Sequence, residues 1–433
     1  MTVRKRAENI NPSVVKSVVE RWWPVAFTTP APAPELSRAG AGRCLPTTAT
    51  LRMGEAKDPM VGMLASIGTA HRFRGLRLQG KGSMNSTVAI DGRPIGPGHA
   101  PYVIAEMSGN HNGDIGRALA LIDAAKEAGA DAVKIQTYTA DTITIDHDGP
   151  AFRLTEGLWK GKTLHQLYTE AHTPWDWHAE MFAHARRIGI TLFSSPFDPT
   201  AVDLLASLDA PAYKIASFEL VDIPLIQYAA RRGKPMILST GLADLGEIQG
   251  AVDAVRAVGN DQIILLHCTS GYPTPPADSH LRTIPHLGSA FGVVPGLSDH
   301  TMGIAVPVAA TAIGACVIEK HFTLARSDGG PDAAFSLEKE ELRAMVDACR
   351  VAHAALGRVN YAVKDSERGG QIFRRSLYVV ADVRAGEALT SDNVRSIRPG
   401  FGLPPRHLPE VLGLRALRDL KRGEPLAWDM VGR

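Results

Sequence analysis

Eight short apolar runs of β-type composition recur through the middle of the chain, at residues 102–107, 132–137, 191–196, 212–217, 235–240, 263–269, 293–300 and 316–322. Between several of them the apolar residues return at intervals of three and four, as at 115–128 and 244–258, which predicts amphipathic helices. Short strands alternating with helices select a parallel α/β architecture. Eight such units in roughly 250 residues is the size of a closed (β/α)8 TIM barrel.

The ends of these runs are polar in a way a buried strand does not require. They read Ala-Glu106-Met-Ser-Gly-Asn-His, Val-Lys134-Ile-Gln136-Thr, Phe-Ser194-Ser195-Pro-Phe and Tyr-Lys214-Ile-Ala-Ser217-Phe-Glu219. The later four read Leu-Ser239-Thr240-Gly, His267-Cys-Thr-Ser270-Gly-Tyr272, Gly-Leu-Ser298-Asp299-His300 and Ile-Glu319-Lys-His321-Phe. In a barrel all C-terminal strand ends converge on one rim, the usual place for an active site. One or two could be satisfied core groups, but a buried charge costs several kcal/mol unless paired, and eight sets in register point to a shared polar mouth.

Lys134 and Lys214 end two of the runs, and the hydroxyls of Ser195, Ser217, Ser239, Ser270 and Ser298 surround the same mouth. A lysine supplies a mobile positive charge with three donors, and hydroxyls complete a shell around phosphate oxygens, so the set reads as a cage for a phosphorylated carboxylate. Alternation along a strand puts Lys134 and Gln136 on the same, inward side. His300 and His321 end the last two runs, with Glu319 on the face of His321. Two neutral imidazoles with the remaining positions open to water and substrate suit a divalent manganese, cobalt or magnesium ion acting as a Lewis acid; His267 competes as a ligand. Glu106, Glu219 and Asp332 could each be an acid, a base or a sugar ligand, and Asp332 lies in a glycine-rich loop, 328–332, suited to a lid or clamp. Asn110 and His111 either face the site or cap the next helix.

Composition bounds the rest. The 433 residues are 45% hydrophobic and 21% charged, enough for one large domain and at least one small one. Cys44, Cys268, Cys316 and Cys349 lack metal or redox spacing and read as buried thiols in a reducing cytoplasm. No apolar stretch long enough to span a bilayer is present, so no membrane partner is expected; nor is a nucleic-acid partner. Residues 1–83 carry 13 Lys/Arg against 5 Asp/Glu, a net of +8, while the rest has 34 against 40, a net of −6. This basic, proline-studded leader reads as disordered or misassigned, with translation starting at Met84. The barrel is expected at 88–358, a linker at 359–371 and a small domain at 372–433. Within the last, 381–394 is echoed by 418–431, predicting two related strand-turn-helix pieces.

Taken together, the motifs 104–113, 133–139, 194–197, 213–219, 268–273, 296–300 and 319–322 resemble the sialic acid synthase family, and within it the pseudaminic acid synthase branch. From 374 onward the chain is similar to that family's small β-rich antifreeze-like (SAF) domain. The resemblance implies condensation of phosphoenolpyruvate with an open-chain acylated amino-deoxy-hexose, releasing phosphate by C–O cleavage. Lys134, Ser195, Lys214, Ser217, Ser239, Ser270 and Ser298 would hold phosphoenolpyruvate. His300 and His321, rather than His267, would hold the metal. Glu106, Glu219 and Glu319 would be catalytic, and Gln136, Tyr272 and Asp332 would meet the sugar. Arg375 would reach the sugar's acyl group from the partner subunit of a homodimer with exchanged C-terminal domains. Ser270 and Ser195 stand where the N-acetylneuraminate-making branch has asparagine and often threonine, and the implied sugar is 2,4-diacetamido-2,4,6-trideoxy-altrose, destined for a bacterial surface glycan or flagellin glycosylation. The rivals are an N-acetylneuraminate or legionaminate synthase, a keto-sugar-phosphate synthase on a similar barrel, and a non-catalytic ice- or carbohydrate-binding protein.

Overall fold

The computed structural model describes residues 87–433, so the 1–83 leader and the start expected at Met84 lie outside the described residues. Strands β1 (Val88–Ile90) and β2 (Arg93–Ile95) pair antiparallel across an Asp91-Gly92 turn. Both turn residues have positive φ, 49° and 75°, the two-residue geometry whose twist matches that of the strands it joins. Val88, Ile90 and Ile95 are buried in one apolar cluster with Tyr102, Ile264, Val294 and Val317, all near the beginnings of barrel strands. The hairpin therefore closes the N-terminal end of the barrel.

The barrel strands are β3 (Tyr102–Glu106), β4 (Ala132–Thr137), β5 (Thr191–Pro196), β6 (Tyr213–Ile215), β7 (Met236–Ser239), β8 (Ile263–Cys268), β9 (Val294–Asp299) and β10 (Val317–His321). All pair in parallel in chain order, and β10 returns to β3 to close the ring. The expected runs and the observed strands agree in place. The largest trimming is at β6, where Ser217–Glu219 curls into a 3-10 turn and so carries Ser217 and Glu219 off the strand and over the mouth.

Helices cover the outside, and their ends are set by local chemistry. Ile115–Ala128 begins where the Asp114 carboxylate accepts from the Arg117 N–H and ends at Gly129, whose φ of 87° only glycine adopts freely. Leu245–Ala257 opens on a reciprocal Asp244/Glu247 capping box. Outward strand residues such as Val133, Ile135, Leu265 and Ile318 pack beneath these helices in a single core that includes Leu342, Met345 and Val346 of the helix Lys339–Leu356. Buried apolar layers on both sides of the sheet fix the strand register, because a one-residue slip would exchange the inner and outer sets.

The C-terminal domain has its own core of Leu377, Val379, Val383, Leu389, Val394, Leu420, Leu426 and Val431. Its strands are β11 (Ser376–Val379), β12 (Val394–Ile397), β13 (Arg415–Ala416) and β14 (Val431–Gly432). The two repeats pair reciprocally. The Val383 N–H donates to the Leu420 carbonyl and the Leu420 N–H to Val383, while the Ala385 N–H meets Asp419 and the Arg422 N–H meets Asp382. The strand-turn-helix expectation is corrected in its last element. Thr390 to Asn393 closes as one turn on the Asn393 side chain, Trp428–Met430 is a single 3-10 turn, and each runs directly into a strand. In the expected linker, residues Asp365–Phe373 form a run of 3-10 turns.

Candidate active site

Alternation along the strands delivers the polar run ends to the barrel interior. Tyr102, Ile104 and Glu106 point inward on β3; Ala132, Lys134 and Gln136 do so on β4; Ile264, Leu266 and Cys268 do so on β8. Register then sorts them into levels. Glu106 is level with Lys134 and with His321, while Glu319 is level with Ser298, itself level with Cys268. Residues distant in sequence thus meet because each is the penultimate or last inward position of its strand.

At the centre is a buried network of two lysines and two glutamates. Lys134 Nζ lies 2.9 Å from Glu106 Oε2 and 3.6 Å from Glu319 Oε1; Lys214 Nζ donates to Glu319 Oε1 at 3.0 Å, as does the Ser298 hydroxyl at 3.0 Å. The Gln136 amide donates to Glu106 Oε1 at 2.8 Å, and Lys134 also reaches the Ser195 hydroxyl at 3.4 Å. Burial opposes charge on Glu319, but the two lysines outweigh it and hold its carboxyl well below the usual range. Burial pushes the Lys214 ammonium down against the pull of Glu319, leaving it the weaker-held cation. Two other carboxyls are proton carriers near neutrality. Burial pushes Glu219 up to about 7, and it pushes Asp332 up to about 6 against the hydrogen bond from Ser108.

Beside the lysines the predicted serines form a cradle. The Gly241 N–H donates to Ser217 Oγ at 3.1 Å, and a Cβ at Gly241 would stand 2.3 Å from Ser270 Oγ and 2.7 Å from Ser217 Oγ, so no side chain fits there. The buried hydroxyls of Ser239 and Ser270 have no hydrogen-bond partner among the described residues. Unsatisfied buried hydroxyls beside two ammonium groups are costly unless a ligand supplies their partners, and an anion with several oxygens does so.

His300, the residue after β9, and His321, the last of the adjacent β10, have ring centroids 5.3 Å apart. His300 Nδ1 lies 2.9 Å from the Thr269 carbonyl, which holds a proton on that nitrogen and turns Nε2 away from it. His321 Nδ1 is buried without a hydrogen-bond partner, 3.7 Å from Asp332 Oδ2, and burial with the nearby His300 keeps the ring neutral. No three His, Cys, Asp or Glu side chains converge on one point among the described residues. The unpartnered His321 Nδ1 and the neighbouring His300 ring are the groups here that could act as donors to a divalent ion. His267 is an outward residue of β8, its Nε2 2.6 Å from the Ser279 carbonyl.

Tyr272 forms a wall over this pair, its ring 4.4 Å from His300 and 6.4 Å from His321, and burial raises its hydroxyl pKa strongly. Asn110 and His111 turn out to be structural. Asn110 holds the Phe322 carbonyl and the Ser336 hydroxyl, while His111 accepts from the Gly113 N–H and is pushed down to about 4 by burial. Arg375 is exposed on the C-terminal domain, donating to the Ser396 carbonyl 3.2 Å away. Four neighbours of this site escaped the sequence reading: Ser108, Gly241, Cys268 and Phe335. Cys268 was accessible from alternation with Leu266. Phe335, which packs 4.9 Å from the His321 ring, comes from a loop and carries no periodic signal.

Comparison with known proteins places this arrangement. Residues 121–361 match the NeuB family and residues 374–432 match the SAF domain. The chain belongs to the NeuB family. It is an enzyme of that family with a C-terminal SAF domain. This NeuB-family chain is 44% identical to the pseudaminic acid synthase of Helicobacter pylori over 337 residues, 77% of this chain and 98% of that one. It is 36% identical to the N,N'-diacetyllegionaminic acid synthase of Legionella pneumophila, over 80% of this chain and 99% of that one. Among solved structures, the spore coat polysaccharide biosynthesis protein SpsE of Bacillus subtilis superposes with a TM-score of 0.55 at 34% identity, covering 80% of this chain and 99% of that one. No helix among the described residues is long and apolar enough to cross a membrane.

Proposed function

We propose that the chain is a pseudaminic acid synthase, joining phosphoenolpyruvate to 2,4-diacetamido-2,4,6-trideoxy-altrose with water to give pseudaminic acid and phosphate. The observation that carries this choice of sugar is the identity of 44% to the pseudaminic acid synthase against 36% to the legionaminic one, over similar lengths. The reaction class rests on the mouth itself, where paired lysines and a hydroxyl cradle face two open imidazoles.

Lys134 and Lys214 neutralise phosphoenolpyruvate, with Ser195, Ser217, Ser239, Ser270, Ser298 and the Gly241 N–H supplying donors to its oxygens. Glu319, held ionised between the lysines, keeps both ammonium groups in the mouth before substrate arrives. A divalent ion on His300 and His321 would supply Lewis-acid polarisation of the sugar aldehyde. The enol carbon then bonds to the aldehyde carbon, whose oxygen takes a proton, and water adds to the resulting cationic centre and loses one. The C–O bond to phosphate breaks with its electron pair on the phosphate oxygen as the added hydroxyl becomes the keto C=O and its proton passes to the leaving phosphate, whose charge the cradle stabilises. Glu219, pushed to about 7 by burial, is suited to give up or accept one of these protons at neutral pH, while Glu106 and Gln136 orient sugar and water. Tyr272 and Asp332 bound the sugar's other side.

The same reading makes the protein a homodimer with exchanged C-terminal domains, Arg375 meeting the sugar's acyl group in the partner's barrel. It places the enzyme in the cytoplasm, where the free thiols of Cys268, Cys316 and Cys349 stay reduced. The test is phosphate release with phosphoenolpyruvate, manganese and, in turn, the altrose derivative, the legionaminate precursor and N-acetylmannosamine, with and without chelator. Release with the altrose derivative alone supports the reading; release with another aldose moves the name within the family; no release with any aldose refutes the synthase assignment.

A further inference from the structure

The turn after β3 holds Ser108, a non-glycine residue at a φ of 47° and 5% exposed. L-residues are uncommon in the left-handed region, and this one is buried with its hydroxyl fully engaged. Its hydroxyl donates to Asp332 Oδ2 and accepts from the Gln136 amide at 3.1 Å; the same amide nitrogen reaches Glu106 Oε1 at 2.8 Å. One serine thus links the end of β4 to the glycine-rich loop after β10.

That loop is anchored without Ser108. The Ser336 hydroxyl donates to the Asp332 carbonyl at 2.7 Å and accepts from the Asn110 amide at 2.9 Å; the Trp159 indole donates to the Pro331 carbonyl at 3.0 Å; the Asn112 amide donates to the Gly329 carbonyl at 3.2 Å. Pro331 also packs on Gly109 so closely that a Cβ there would lie 2.6 Å from its ring. What Ser108 adds is the direction of the Asp332 carboxylate and of the Gln136 amide, the two groups that face the sugar in the proposed reaction.

We propose that Ser108 is a positioning residue for the sugar: it aims Asp332 and Gln136 into the mouth, and its left-handed backbone is retained for that purpose. The assignment rests on the synthase reading above. The test uses the full chain as Ser108→Gly, which removes the hydroxyl and relieves the backbone, and Ser108→Ala, which removes the hydroxyl alone. Both variants are expected to raise KM for the sugar about tenfold, the loss of one hydrogen bond to a charged group, with KM for phosphoenolpyruvate unchanged. Ser108→Gly offsets part of the cost of the lost hydrogen bond by relieving the backbone, so its melting temperature, read beside that of Ser108→Ala, separates a fall in sugar affinity from a loss of fold. An unchanged sugar KM in both variants, or an equal rise in both KM values, overturns the assignment while the active parent preserves the synthase reading. A parent inactive with all three aldoses overturns both.

Discussion

Replacing Lys320 by methionine tests how the two histidines are held. Lys320 lies between Glu319 and His321 but points outward, its side chain 0% exposed against 2% for Asp299, whose Oδ2 it meets at 2.5 Å. It also donates to the Thr301 carbonyl, while Asp299 accepts from the Thr301 N–H at 3.2 Å and hydroxyl at 3.0 Å. Both residues flanking His300 are therefore tied to the residue that precedes His321. Lys320→Met leaves Asp299 buried with no counter-charge, and breaking such a pair costs about 3–5 kcal/mol. At roughly 2 °C per kcal/mol for a large domain, melting should fall by about 6–10 °C. Adding Asp299→Asn removes the stranded charge and should return a large part of that loss, because a neutral buried pair lacks the desolvation penalty. Calorimetry reads the stability, and manganese titration reads the histidines; both single and double variants should bind manganese more weakly, since neither retains the tie across β9 and β10. A loss below about 1 kcal/mol for Lys320→Met, or no recovery in the double variant, would refute the reasoning, since a buried unpaired carboxylate cannot be that cheap.

Three further outcomes follow from the site. Glu219 has an ordinary value of 4.5 raised to about 7, so between these limits the folded state holds a proton the unfolded state releases, and stability falls as pH rises through this window. Glu219→Gln should therefore melt higher than the parent at pH 8 and match it at pH 5 in pH-resolved calorimetry. Chelator should abolish phosphate release and leave the melting of the barrel nearly unchanged, because the apolar layers of the barrel are independent of the two histidines; added manganese should restore activity. Mixing inactive Lys134→Met with Arg375→Ala after co-refolding should recover activity if domains are exchanged, one heterodimer site combining an intact barrel with an intact Arg375; activity no higher than the sum of the two alone would rule out a site shared in this way.

The barrel was legible because its determinants are periodic. Strand positions follow from runs of Val, Ile and Leu, and the inward set follows from counting by two, which brings Lys134 with Gln136, and Glu319 with His321, to one face of their strands. The same count, carried from Leu266 to Cys268, would have turned His267 outward, and it was the competing chemistry of an imidazole that kept that residue open. The small domain illustrates the opposite case. Its repeat was visible, but a stretch of about four residues carries too little pattern to separate a turn from a helix, and the reciprocal pairing of Val383 with Leu420 is a contact between distant segments.

Loops after the strands posed a different difficulty, since their partners are set by proximity and not by period. Ser108 and Asp332 are 224 residues apart, and only closure of β10 onto β3 makes the turn after one strand the neighbour of the loop after the other. Gly241 belongs to the same class: its necessity comes from the two serine hydroxyls that occupy the place of its missing side chain, from Ser217 after β6 and Ser270 after β8. In each instance the strand ends supply charge and the loops supply aim. A charge or a hydroxyl at a run end can be read from a single strand, whereas aim needs two loops at once, which is why the lysines, glutamates, histidines and the five serines were found in the sequence and Ser108 and Gly241 emerged only with the closed ring.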